Sequence, residues 1–219
     1  NTGAGIHISG GSGLTIRNNI IKDNSSSHSY GGGGIYINSS SPQILNNEIY
    51  NNVARSDGGG GICFKDNSAG YVQFNRIYNN NNSTDAASGI MIDNSDPVII
   101  NNEIVNDLSF SSRTGIIIRN TANPLIKNNV VSKHYESGIL VEDNGSGDII
   151  NNTITHNREH GIFLVADVDS IINNIISFNG GYGVRETIIS YDPSVCNYNL
   201  FYDNSSGCYY DEGNIPYGT

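Results

Sequence analysis

The sequence predicts an all-β chain wound as a parallel β-solenoid of about eight turns. Three observations carry this reading. A motif typified by Ile99-Ile100-Asn101-Asn102-Glu103-Ile104 recurs eight times, with its aligned asparagine at Asn19, Asn47, Asn75, Asn102, Asn129, Asn152, Asn174 and Asn199. A second signature, Gly followed by apolar-x-apolar, precedes each copy from Gly5-Ile6-His7-Ile8 to Gly161-Ile162-Phe163-Leu164, and decays to Gly183-Val184-Arg185-Glu186 in the last. The copies lie 28, 28, 27, 27, 23, 22 and 25 residues apart, too short for any one to bury a core alone, so stacking is required.

The elements follow in order. Short period-two apolar pieces bounded by Gly and Asn are strands rather than helices, about three to a turn. Inward positions lie two residues after each aligned asparagine, from Ile21 to Phe201, and three before it, from Ile16 to Cys196. Equivalent residues of successive turns sit about 4.8 Å apart, which makes a rod about 35 to 40 Å long. Asparagine tolerates left-handed backbone at a corner, and a stacked amide donates to one neighbour while accepting from the next. The Asn19 to Asn199 column therefore reads as an inward asparagine ladder. A later corner column runs Asn24, Asn52, Asn80, Asp107, His134, Asn157, Asn179 and Asn204, with Asp107 and His134 as the two departures.

The first four turns are longer, and their extra residues fall between the corner and the next Gly-Ile: 25–33, 53–60, 81–88 and 108–114. Stacked insertions are expected to raise a ridge along one side of the rod. Residues 1–204 are read as the repeats and 205–219 as an irregular, aromatic tail that partly caps the last turn. A solenoid leaves unpaired backbone at its ends, and the repeats begin almost at residue 1, so the chain reads as part of a longer protein.

Composition narrows the partner. A formal charge of −10 and a pI near 4.7 exclude a nucleic-acid backbone or an anionic membrane surface as the main partner. Charged residues are only 15% of the 219, so the surface is largely neutral and hydrogen-bonding, which suits sugars. No apolar run approaches the length of a membrane span, and membrane insertion is not expected. Three cysteines make no disulfide framework; Cys196 and Cys208 bridged, or three reduced thiols, are the two readings.

The pattern Gly-Ile-x-Ile followed by Ile-x-Asn-Asn-x-Ile, covering essentially residues 3 to 204, resembles the right-handed parallel β-helix repeats of the pectin-lyase-like superfamily. The resemblance implies a right-handed, single-stranded parallel β-helix. It also implies a range of roles that includes polysaccharide lyases, galacturonan hydrolases, epimerases, tail spikes and adhesins. In such enzymes substrates commonly lie in a groove between a sheet and a ridge.

Strand alternation places His7, Tyr36, Cys63, Met91, Ile117, Leu140, Phe163 and Arg185 in one outward column, either a packing surface or a sugar-stacking platform. The next column holds Lys65, Asp93, Arg119 and Glu142, alternating in sign, which stabilises strand register by itself. Tyr36, Lys65, Asp93, Glu142 and Phe163 are the substrate-binding candidates. Beside them Arg113, Glu136, Arg158, Glu159 and His160, at the turn entering the sheet, make the densest ionisable cluster, and Arg113, Arg119, His160, Glu136 and Glu159 are the catalytic candidates.

A uronan lyase or epimerase needs a cation, Arg113, Arg119 or bound Ca2+, against the substrate carboxylate, and a base such as His160. A glycosidase needs two carboxylates, which Glu136 and Glu159 supply. Tyr191-Asp192-Pro193-Ser194 resembles an alginate-epimerase element but has Ser194 where the catalytic histidine belongs, and no metal-ligand motif is present.

The leading expectation is an extracellular or cell-surface module that presents its face to a polysaccharide or other glycan. A lyase or related uronan-acting enzyme is the alternative, and a spacer or oligomerising stalk, with flanking domains, is the third.

Overall fold

A computed structural model describes residues 4–27, 31–55, 57–82, 86–107, 113–187 and 191–211. The chain winds as a parallel β-helix with three long sheets and no helix among these residues. Sheet A stacks nine strands: Ile6–Ser9, Ile35–Asn38, Ile62–Lys65, Ile90–Asp93, Ile116–Arg119, Ile139–Val141, Ile162–Leu164, Tyr182–Glu186 and Gly207–Tyr210. Sheet B has eight, from Ser12–Arg17 to Pro193–Asn197, and sheet C eight, from Ile20–Lys22 to Leu200–Tyr202. Eight aligned copies enclose seven intervals, so the coil completes about seven turns rather than the eight counted from copies. The tail departs from its irregular expectation, since Gly207–Tyr210 is a ninth strand paired with Tyr182–Glu186.

The core is the column structure expected of the repeat. Ile44, Val72, Ile99, Ile126, Ile149 and Ile171 stack in register in sheet B, and Ile49, Ile77, Ile104, Val131, Ile154 and Ile176 in sheet C. All of them are buried. β-Branched side chains suit this geometry, because each packs on its own kind a strand spacing away.

The ladder is continuous: each side-chain amide donates to the next Oδ1 from Asn19 to Asn199, at 2.8 to 3.2 Å for main-chain and side-chain donors together. The structure separates two tasks that the sequence reading gave to one residue. Left-handed backbone sits one position earlier, at Asn18, Asn46, Phe74, Asn101, Asn128, Asn151, Asn173 and Tyr198. The turn is made by the first residue of the pair, and the ladder by the second.

The second corner behaves likewise, except in the fourth turn. There Asn106, not Asp107, is buried, and its Nδ2 donates to the Asn80 carbonyl at 2.9 Å while Asp107 is exposed. His134 takes the next place, accepting nothing from Asn106 but receiving the inter-turn role through Nε2, 3.3 Å from the Ile104 carbonyl.

The insertions form a fourth, three-stranded sheet from Ser25–Ser26, Val53–Ala54 and Asn81–Asn82, the base of the expected ridge; the insertion at 108–112 lies outside the described residues. Beyond it the glycine-rich segments lie flat on the outer face of sheet A. A Cβ on Gly32 would meet the Ile35 carbonyl at 2.3 Å, and one on Gly59 the Ile62 carbonyl at 1.9 Å, so only glycine permits this approach. All three cysteines are free.

Candidate functional site

The outward column of sheet A is in the register expected, His7 to Tyr36, Cys63, Met91, Ile117, Leu140, Phe163 and Arg185, and continues to Tyr210. Its two halves differ. Tyr36, Cys63, Met91 and Ile117 form a second apolar cluster with Ala86 and Ala87, and none is more than 5% exposed. Tyr36 therefore presents no ring face for a sugar to stack on; the chain itself covers it. Leu140, Phe163, Arg185 and Tyr210, in the turns without long insertions, stay partly accessible.

Lys65, Asp93 and Arg119 come together as a closed network. The Asp93 carboxylate receives Lys65 Nζ at 2.7 Å, Arg119 Nε at 3.0 Å and Asn120 Nδ2 at 2.9 Å, and the residue is 3% exposed. Burial pushes the Asp93 pKa up, but these donors outweigh it and hold the group below its ordinary value. Arg119 also donates to the Asp57 carbonyl at 3.2 Å, so its guanidinium is engaged within the protein. Glu142, one turn on, is raised by burial and by Asp143.

Of the catalytic candidates, Arg113 and Glu136 pair with each other, while Arg119 pairs with Asp93 and His160 with Tyr182 and Arg185. Arg113 Nη1 lies 2.8 Å from Glu136 Oε1, and buried Thr114 donates to Glu136 Oε2 at 3.0 Å. Glu159 is exposed, and its pKa is raised by partial burial and by Glu136. His160 is 8% exposed; its Nδ1 accepts the Tyr182 N–H at 2.9 Å, and Arg185 Nη1 stands 3.3 Å from Nε2. Burial first, then Arg185, brings its pKa down to about 4. A neutral imidazole with one nitrogen engaged and the other facing a cation is a weak base.

The accessible half of the face carries a different constellation. The His160 ring is 5.2 Å from Phe163 and 6.0 Å from Tyr182; Tyr182 is 5.0 Å from Tyr210. The Arg185 guanidinium lies 5.5 Å from the Phe163 ring and 6.0 Å from that of Tyr210. Only Phe163 and His160 of this group were among the candidates read from sequence. Arg185 was visible as the end of the outward column, whereas Tyr210 joins it only because the tail becomes a strand.

At the last turn Glu186 stands in register with Leu164, which continues the inward column of Val141, Ile118 and Ile92. It is fully buried, receives the Tyr209 hydroxyl on Oε1, and has no hydrogen-bond partner on Oε2. Carboxylate oxygens of Glu186, Asp192 and Asp211 lie within 4.8 Å of one another. Burial, with the two aspartates adding, pushes the Glu186 pKa up to about 7. The signal in the sequence was a Glu at the fourth place of Gly183-Val184-Arg185-Glu186, where earlier turns have Ile, Phe, Val or Leu.

Two family models match the chain. The one described as "Periplasmic copper-binding protein (NosD)" covers residues 61–218, most of the length. The chain belongs to the NosD family. The model described as "Right handed beta helix region" covers residues 1–110 and supplies the hand of the coil. No curated protein and no solved structure matches the chain. NosD membership makes this a β-helix module of a family described as periplasmic, in keeping with export. No helix among the described residues is long and apolar enough to cross a membrane.

Proposed function

We propose that this chain is a periplasmic or surface-exposed β-helix module that binds a glycan on the C-terminal half of sheet A. The observation that carries the reading is the column Phe163, Arg185 and Tyr210, flanked by Tyr182 and His160, on the part of the sheet where the described loops do not lie. Partly exposed rings offer flat apolar faces to the C–H faces of a sugar, and Arg185 offers fixed donors to hydroxyls or a uronate. Glu142 and Glu159 border the platform with acceptors for sugar hydroxyls. Neutral hydrogen-bonding groups dominate the rest of the surface, which limits nonspecific ionic binding.

The test is calorimetric titration with a panel of neutral and uronate oligosaccharides. Binding by the wild-type chain, weakened roughly tenfold or more in Phe163→Ala and Tyr210→Ala, is expected from loss of a stacking ring. Absence of binding across the panel, or binding indifferent to both substitutions, would overturn the reading. The same mixtures read for ultraviolet absorbance of unsaturated uronates report lyase activity, which the engaged Arg113 and Arg119 and the weakly basic His160 do not favour.

The family description also raises copper. Copper(I) is held by thiolate and thioether sulfur, and copper(II) by imidazole and oxygen. Cys63 and Met91 are register neighbours, but both are fully buried under the loops, and burial pushes the Cys63 thiol up to about 12, keeping it protonated at neutral pH. His134 has Nε2 on the Ile104 carbonyl and Nδ1 3.2 Å from Ser88 Oγ, and His160 is engaged as described. None of these four side chains is placed to hold copper.

A further inference from the structure

We propose that Glu186, Asp192 and Asp211 form a binding site for a hard divalent cation, calcium in particular, at the C-terminal end of the rod. The cluster of three carboxylates is one observation. A second is independent of it: Glu186 occupies a core position. Ile92, Ile118, Val141 and Leu164 fill the same column in the four turns before, and all are buried. Placing a carboxylate there, fully buried and with Oε2 unpartnered, costs stability unless something satisfies that oxygen.

The Tyr209 hydroxyl answers only Oε1. Asp192 and Asp211 bring further negative charge, and Glu186 can hydrogen-bond to Asp192 only by holding a proton between the two carboxylates. A cation between the three answers both deficits at once, because it pairs with Oε2 and removes the mutual repulsion.

The donor set selects the ion. All three ligands are carboxylate oxygens, which suit calcium, magnesium or manganese rather than copper. Calcium–oxygen distances of about 2.3 to 2.6 Å allow ligand oxygens on opposite sides of one ion to lie up to about 5 Å apart. The mutual separation of at most 4.8 Å falls inside that limit. Magnesium, with shorter bonds and a strict octahedron, is less tolerant of ligands from three separate segments.

Those segments are the last strand of the Gly-apolar-x-apolar series, the turn that enters sheet B, and the residue after the tail strand. A bound ion would thus tie the tail to the last turn and close the rod interior beside Glu186. This inference does not rest on the glycan reading, whose platform lies on the outer face.

The experiment is calorimetric titration of the chelator-treated chain with calcium chloride alone, alongside thermal melts with and without millimolar calcium. One calcium per chain and a rise of several degrees in the midpoint are expected. Affinity should fall by roughly tenfold or more in Glu186→Gln and in Asp192→Asn. Asp192 is exposed, so the second variant keeps the fold if the first does not. The absence of both binding heat and a midpoint shift at millimolar calcium would overturn the proposal, and so would calcium binding that both variants retain. Binding of copper(II) in preference to calcium at these residues would overturn the hard-cation assignment.

Discussion

The Nε2 of His134 lies 3.3 Å from the carbonyl oxygen of Ile104, the contact that the corner asparagines make through Nδ2. Histidine thus substitutes for the amide as a donor, and the Nε2–H tautomer is the one that does so. The main-chain N–H of His134 continues the pattern to Asn157 Oδ1 at 3.1 Å. What an imidazole adds to this place is a proton equilibrium.

Complete burial lowers the His134 pKa from 6.5 to about 4. The unfolded chain takes up the proton first, so stability from this site is full above pH 6.5 and is lost as pH falls toward 4. The whole loss is about 3 kcal/mol by linkage. Urea unfolding of wild type and His134→Asn at neutral and mildly acidic pH is the check: the variant should lose less stability on acidification. An equal loss in both would refute the assignment. His160, also lowered to about 4, should leave a residual slope in the variant.

Asn102→Ala should cost roughly 3 kcal/mol, because it orphans buried groups on both sides. The Asn75 main-chain N–H loses its acceptor at 2.9 Å, and the Val72 carbonyl loses its donor at 2.8 Å. The neighbouring Glu103→Gln removes only an exposed pair with Arg76 at 3.1 Å and should change stability by less than about 0.5 kcal/mol. Chemical denaturation of the two variants gives the comparison, and similar losses would deny the ladder its role.

Phe74→Asn should stabilise the protein by roughly 1 kcal/mol. Phe74 has φ of 56° at a corner where the seven equivalent positions are all left-handed, six of them asparagine and the seventh Tyr198, and its side chain is 56% exposed. Little packing is given up, while the backbone penalty falls. A lowered melting midpoint would show that the ring makes a contact worth more than the strain.

How far the site could be read from the chain differs by residue. The outward column and the alternating charges were legible because a strand's two-residue period and the repeat interval together fix register; Met91 beside Cys63 and Arg119 beside Asp93 follow by counting. Whether Arg119 faces a ligand or Asp93 is a matter of side-chain geometry, which counting does not reach. Tyr36 and Phe163 are equivalent by count, yet Tyr36 is buried in a cluster with Cys63, Met91, Ala86 and Ala87 while Phe163 stays partly exposed.

The sequence by itself determined the coil, its inward isoleucines and the asparagine that joins each turn to the next, because these repeat and every copy votes for the same arrangement. Only the tertiary structure decided what happens where the repeat stops. It put Asn106 inward in place of Asp107, made the tail a ninth strand that brings Tyr210 to Arg185, and set Glu186 in the core beside Asp192 and Asp211. Such features appear once, and they depend on which distant segments close over a given position rather than on the period of the chain.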